Sequence, residues 1–349
     1  IRKILMLTIV MGLLIGLAPM PTQAATPEEI EESIQNGLDC LVPQQKDDGS
    51  WGDWEKVAKT AFAVVKLEER AIELGYGSPF NPEYPYSENV KKGLDYIFKH
   101  AATYGPDTGV CFDQGNHETY STGIVMMAIA GSREPGRSVN VLGSIVDGKT
   151  YKEVLQGNVD FFAWSQNPDG GWRYWAHNEP SDNSNTGYAV LGLRYAEAPS
   201  YGFECNIPPT LKNNLSDYID YIQCDTNGGS GYTSPCNWVN LLKTGNLLFE
   251  MSFVGDDISS PRVQNAIAYI QNTWNDPSGD PGWRPHHYQA MYCLMKGFGS
   301  FNIDTITVGV SDVDWFEEFA TAILLSQEDD GCWPRTTGVI KYSPLSGLS

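Results

Sequence analysis

The sequence predicts an all-α protein made of six helix-turn-helix units, the first helix of each unit lying outside and the second inside. Three observations carry that prediction. A short phrase returns roughly every 50 to 65 residues, and a fixed long period marks a repeat architecture. An amphipathic run precedes each copy, and a more uniformly apolar run follows the first five.

The phrase is a glutamine, a few turn residues, then Asp-Gly-x-Trp. It is clearest as Gln45, Asp48, Gly49 and Trp51, as Gln166, Asp169, Gly170 and Trp172, and as Gln327, Asp330, Gly331 and Trp333. Weaker copies stand at Ile97 with Gly109 and Phe112, at Gln223 with Gly229 and Tyr232, and at Gln271 with Gly282 and Trp283. Each has a purpose in a tight corner. Glycine accepts positive backbone angles, aspartate hydrogen-bonds its own following amides, and the glutamine amide can satisfy carbonyls freed at a helix end. The tryptophan is expected to clamp neighbouring units by packing.

The first unit opens with Ile34, Leu38 and Leu41 at helical spacing, and its second helix is expected over Val57 to Leu74. The second unit pairs Val90, Leu94 and Ile97 with a run from Tyr120 to Ala130; the third pairs Val159 and Phe162 with Thr186 to Ala198. The fourth has Leu215, Ile219 and Ile222 before Val239 to Phe253, and the fifth Val263, Ile267 and Ile270 before Tyr288 to Phe298. The second runs lack a consistently charged face, and a helix apolar nearly all round is normally buried. They are therefore assigned to the inner ring. Thr-Gly pairs at Gly123, Gly187 and Gly245 inside these runs cost about 1 kcal/mol each against alanine and point to close helix approach. The sixth unit has Phe316, Ala320 and Ile323 but no convincing inner helix after Trp333, where Pro344 intervenes. We expect a segment beyond Ser349 to complete the ring.

The phrase resembles the Gln-Trp repeat of the terpenoid cyclase and protein prenyltransferase (squalene-hopene cyclase-like) superfamily, over most of the chain. The resemblance implies an α/α toroid, with inner and outer helices around a central cavity. It does not carry the family's chemistry. The acid motif Asp-x-Asp-Asp of the cyclases has its nearest counterpart in Asp312, Val313, Asp314 and Trp315, where the last acid is Trp, and Asp312 is read as a helix N-cap with Trp315 packed behind it. Where the prenyltransferase zinc set would stand are Ser234 before Cys236, and Gln289 in Tyr288-Gln289-Ala290-Met291-Tyr292-Cys293, so carboxylate and imidazole ligands are missing. A rearranged set of His286, His287 and Cys236 or Cys293 is the remaining alternative. No metal and no cofactor is expected.

Residues 1–24 read as an export signal: Arg2 and Lys3, an apolar run from Ile4 to Leu17, and a small-residue cleavage site ending at Ala24. Residues 25–349 are then one toroid domain, exported to the exterior, periplasm or cell surface, without a transmembrane helix once the signal is removed. The formal charge is −20. An acidic surface of that size repels phosphate backbones and argues against nucleic acid as a partner. Asp47 with Asp48 and Asp256 with Asp257 lack the ordered spacing of a calcium loop. Of seven cysteines, Cys224 and Cys236 bracket a glycine-rich loop and form the expected disulfide.

If every unit runs outer helix, turn, inner helix, the inner helices all start at one rim. That rim gathers His117, Glu118 and Tyr120; Asp182, Asn185 and Tyr188; Trp238 and Asn240; and His286, His287, Gln289 and Tyr292. Asp182, Glu118 and His286 are candidate proton donors or acceptors, although Asp182 and Asn185 are also favoured capping residues. The function read from this is a toroid that binds a lipid, isoprenoid or glycan. The alternatives are a cyclase-like enzyme using acids at the mouth, and an extracellular polysaccharide lyase or hydrolase. Ligand identity and oligomeric state are not legible.

Overall fold

The computed structural model describes residues 24–105, 109–276, 282–284 and 287–334. These form eleven α-helices in alternation. The outer ring is α1 (Pro27–Leu41), α3 (Ser87–Lys99), α5 (Tyr151–Ser165), α7 (Pro209–Ile222), α9 (Pro261–Thr273) and α11 (Trp315–Ser326). The inner ring is α2 (Lys56–Glu73), α4 (Glu118–Gly131), α6 (Asn183–Glu197), α8 (Leu241–Val254) and α10 (Tyr288–Ser300). The architecture is the α/α toroid. Two short antiparallel hairpins, β1 (Ala101–Thr103) with β2 (Val110–Phe112) and β3 (Thr305–Val308) with β4 (Ser311–Asp314), interrupt an otherwise helical chain.

The inner helices are buried as their composition requires. In α4 every residue but Tyr120 is buried. The Thr-Gly pairs do what their cost implied. A Cβ on Gly123 would stand 2.2 Å from the Tyr188 carbonyl, one on Gly187 2.7 Å from the Asn246 side chain, and one on Gly245 2.7 Å from the Cys293 backbone. Successive inner helices thus approach closely at these glycines, and any larger residue would drive them apart.

The repeated phrase forms a shared joint. Gln45 Nε2 donates to its own turn at Gly49 O and to Asn89 O in the next outer helix, both at 3.0 Å. Gln166 does the same to Gly170 and Leu211, and Gln223 to Gly228 and Arg262. Gln327 bridges Gly331 and Ser33, which joins the sixth unit to the first and closes the outer ring. The indole N–H of Trp51, Trp172 and Trp333 donates to Leu41, Phe162 and Ile323, satisfying a carbonyl near the end of the preceding outer helix. A further rung is a threonine hydroxyl: Thr60, Thr122, Thr186 and Thr244 accept from the backbone N–H of Trp51, Phe112, Trp172 and Ser230.

Several expectations need correction. In the fourth unit the left-handed turn glycine is Gly228 (φ 83°), with Ser230 in the tryptophan's place, so Gly229 and Tyr232 were the wrong members of the phrase. Asp312 is not the N-cap. It lies in β4, where it accepts from the Thr307 hydroxyl, and Asp314 caps α11 by accepting from the amides of Phe316 and Glu317. The hairpin moves the helix start two residues on, because β3 and β4 pair before the helix can begin. Trp315 does pack behind the cap, its indole donating to Ile303 O. Cys224–Cys236 is a disulfide as expected, and a second, Cys40–Cys332, ties the last turn to the end of α1. Cys111, Cys205 and Cys293 are free and buried.

Two carboxylates sit deep in the wall. Glu68 on α2 and Glu250 on α8 are fully buried, and neither has a hydrogen-bond partner for its carboxylate oxygens. Burial pushes both well above the usual carboxylate range, with Asp182 adding repulsion at Glu250. Both groups bind protons more tightly in the folded than in the unfolded chain. Their contribution to stability is full below the unfolded carboxyl value and is lost as pH rises through the raised folded value. Glu250→Gln is therefore expected to raise the denaturation midpoint at pH 8 and to leave it unchanged at pH 3.5. A midpoint at pH 8 equal to or below the parent's would remove this account.

Candidate functional site

All described inner helices begin at one rim, and their caps build its floor. Asp182 caps α6 from full burial: its carboxylate accepts from Ser184 Oγ, from the Asn185 amide at 2.8 Å and from Asn185 Nδ2, with Arg173 Nε 3.7 Å away. Burial pushes its carboxyl up, and these hydrogen bonds oppose the shift. Asn240 caps α8 in the same manner, accepting from the Lys243 amide. Glu118, the first residue of α4, is buried and accepts from the amides of Gly115 and Ala176, which ties the second turn to the third.

Around this floor the backbone is held in an unusual state. Glu55, His117 and Trp238 all lie in the left-handed region, at φ 49°, 58° and 55°. For non-glycine residues such angles cost of order 1 kcal/mol or more each and tend to gather where function needs a fixed side chain. His117 Nδ1 lies 2.9 Å from Glu55 Oε1, joining the first two units across the mouth.

Of the aromatic ribbon that runs along this rim, sequence reasoning placed His117 and Trp238 at the mouth and missed Tyr174, Trp175 and the part played by Tyr232. Trp175 lies against Tyr174, whose hydroxyl meets that of Tyr232 at 3.2 Å, and Tyr232 packs edge-on against Trp238. His117 packs on both Tyr174 and Trp175, and the Lys243 ammonium stands 4.1 Å over the Trp238 ring. Trp175 and Trp238 remain 41% and 47% exposed, and Trp54, under the Lys59 ammonium, 52%. The only signal in the sequence was the excess of Trp and Tyr in the corners, which the repeat explained only in part. Beneath the ribbon several buried polar atoms lack a hydrogen-bond partner: both amide atoms of Asn183, Asn185 Oδ1, Thr119 Oγ1 and Glu55 Oε2.

The remaining rim residues contact one another between inner helices. Tyr120 meets Tyr188 edge-on at 4.4 Å, and Gln289 Nε2 donates to the Tyr188 hydroxyl. Tyr292 reaches Met127 Sδ at 3.8 Å, and Lys296 donates to the Tyr195 hydroxyl. Tyr120 and Tyr188 join the neighbouring helices α4 and α6, while Gln289, Tyr292 and Lys296 link α10 to the non-adjacent α6 and α4. His287 accepts from the Ala290 amide at the start of α10, while His286 lies outside the described residues. The rearranged zinc set loses Cys236, whose sulfur is committed to a disulfide. Burial pushes the Cys293 thiol up to about 12, so it holds its proton and packs as an apolar group. Among the described residues no cluster of three or more His, Cys, Asp or Glu side chains has metal-binding geometry.

Fold and rim together define an α/α-toroid protein with a polar, aromatic-edged mouth. The same architecture occurs in a type II terpene cyclase from Scytonema, solved with geranylgeranyl dihydroxybenzoate: 14% identity, 88% of this chain and 81% of that chain covered, TM-score 0.52. It occurs also in a family 76 glycoside hydrolase (mannosidase) from Bacteroides thetaiotaomicron, at 10% identity, 92% and 96% coverage and a TM-score of 0.57. A second family 76 glycoside hydrolase, from a bovine strain of that species, gives 12% identity, 92% and 76% coverage and a TM-score of 0.56. At these identities the likeness establishes the fold. No protein-family model matches the sequence, and no curated protein matches it.

Proposed function

We propose that this toroid is an exported glycan-binding protein that receives its ligand at the inner-helix rim. The observation that carries this reading is the aromatic ribbon, in which Trp175 and Trp238 are exposed and Tyr174 and Tyr232 half-buried, beside buried polar atoms that lack partners. The C–H faces of a sugar ring stack on the negative faces of aromatic rings, and its hydroxyls supply the donors and acceptors that unpartnered amides and carboxylates need. The mannosidase shares the fold, which makes manno-oligosaccharides the first probes to try. Two disulfides support an oxidising compartment, in keeping with residues 1–24 as an export signal. No helix among the described residues is long and apolar enough to cross a membrane.

Asp182 and Glu118 serve this reading as fixed parts of the floor, since their oxygens already hold helix and turn amides. Titration calorimetry with manno-oligosaccharides, followed by an array of neutral glycans, tests it. Trp175→Ala and Trp238→Ala are each expected to weaken binding at least ~10-fold, about 1.4 kcal/mol, with the fold retained by circular dichroism. Recovery of an isoprenoid by solvent extraction and mass spectrometry, with no glycan bound on the array, would replace the glycan by a lipid ligand.

A further inference from the structure

The rim carries positive charge as well as aromatic surface. Lys59 and Lys243 stand within the first four residues of α2 and α8, one position before the rungs Thr60 and Thr244. Both are buried, at 9% and 2% exposure, and each ammonium lies over an exposed tryptophan: Lys59 Nζ 4.0 Å from the Trp54 ring, Lys243 Nζ 4.1 Å from that of Trp238. The placement works against local electrostatics. A helix N-terminus carries partial positive charge, and burial disfavours an ammonium. The repeat itself does not call for lysine, since the residues before the equivalent rungs on α4 and α6 are Ser121 and Asn185. Room is nevertheless made for it: a Cβ on Gly52 (φ 77°) would stand 2.5 Å from the Lys59 side chain.

The two pairs of tryptophan and lysine stand at the ends of the aromatic arc. Trp54 adjoins Glu55, which holds His117; His117 packs on Trp175 and Tyr174, Tyr174 meets Tyr232, and Tyr232 packs on Trp238. Taking the rim as a glycan site, we propose that its ligand is an acidic glycan, its sugar rings stacked along this arc and its carboxylate or sulfate groups received by Lys59 and Lys243. A lysine ammonium is a point charge with three donors and serves either anion. Nearby carboxylates are engaged by other groups: Asp53 by Lys46, Asp182 by Arg173, and Glu118 by the amides of Gly115 and Ala176. The formal charge of −20 opposes an anion at long range, but exposed charges more than about 8 Å away are largely screened at physiological salt.

Titration calorimetry of the full chain compares oligosaccharides of equal length: mannose oligomers, and mannuronate oligomers, which carry a carboxylate at C6 where mannose carries a hydroxymethyl group. The mannuronate probe is expected to bind at least ~10-fold tighter, and this advantage to shrink as ionic strength rises to about 1 M, where the screening length is about 3 Å. Lys59→Met together with Lys243→Met is expected to remove the advantage, and Lys59→Arg together with Lys243→Arg to keep it. A sulfated oligosaccharide that binds tighter than the mannuronate would assign the anion as sulfate. Equal affinity for the neutral and both acidic probes would overturn the proposal and leave the glycan reading standing, whereas no binding of any of the three would overturn both. Should the methionine protein fail to fold, the parent chain decides alone: an advantage undiminished in about 1 M salt would show that the lysine charges are not its source.

Discussion

Serine at both Cys40 and Cys332 is expected to lower stability by about 6 kcal/mol, the chain-entropy value for a loop of this size. The two cysteines lie 292 residues apart, so their bond restricts nearly the whole described chain in the unfolded state. In the native state it fixes the one joint where the ring's last turn meets its first helix. The same joint holds Gln327 on Ser33, and Gly331 (φ 82°), where a Cβ would stand 2.3 Å from the Asn36 carbonyl. Guanidinium denaturation of the double-serine protein beside the parent measures the effect. A loss under about 1 kcal/mol would show that hydrogen bonds and packing close the ring and that the covalent bond adds nothing.

Trp172→Ala should cost about 3–5 kcal/mol, as truncation of a fully buried tryptophan does. The ring packs edge-on against Phe162, its indole N–H satisfies the Phe162 carbonyl at 3.1 Å, and its backbone N–H is held by Thr186. Removal leaves a void between units and an orphaned carbonyl at once. Trp172→Phe separates the two: it keeps most of the apolar surface and should lose about 1–2 kcal/mol, mainly for the missing donor. Equal losses for alanine and phenylalanine would assign the corner's strength to the hydrogen bond and remove packing as the main cause.

The corners were legible because each is a local device. Gln45, Asp48, Gly49 and Trp51 act within one turn and one helix end, so their spacing along the chain is already their spacing in space. The inner helices were legible from their uniform apolarity, and the cap Asp182 from residue type, whereas Asn240 was placed at the rim without its capping role. Asp312 was misplaced because a two-strand hairpin has no helical period to reveal it. Gly228 was missed because an Asn-Gly turn without tryptophan breaks the phrase while keeping its geometry. Three of the four threonine rungs showed only as Thr-Gly pairs, whose glycines were read and whose hydroxyls were not, and the fourth, Thr60 before Ala61, gave no such signal.

The candidate site divides along the same line. Glu118, Asp182 and Asn185 could be assigned to one rim from topology alone, since parallel inner helices share their starting end. The contact between Tyr174 and Tyr232, 58 residues apart, and that between Glu55 and His117, 62 apart, arise only when separate turns are set side by side. Sequence alone determined the helical units, their order and the inner or outer place of each, because periodicity and turn chemistry act over a few residues. Tertiary structure alone decided how the outer ring closes and which tryptophans stay exposed, because those depend on which distant surfaces meet and which do not.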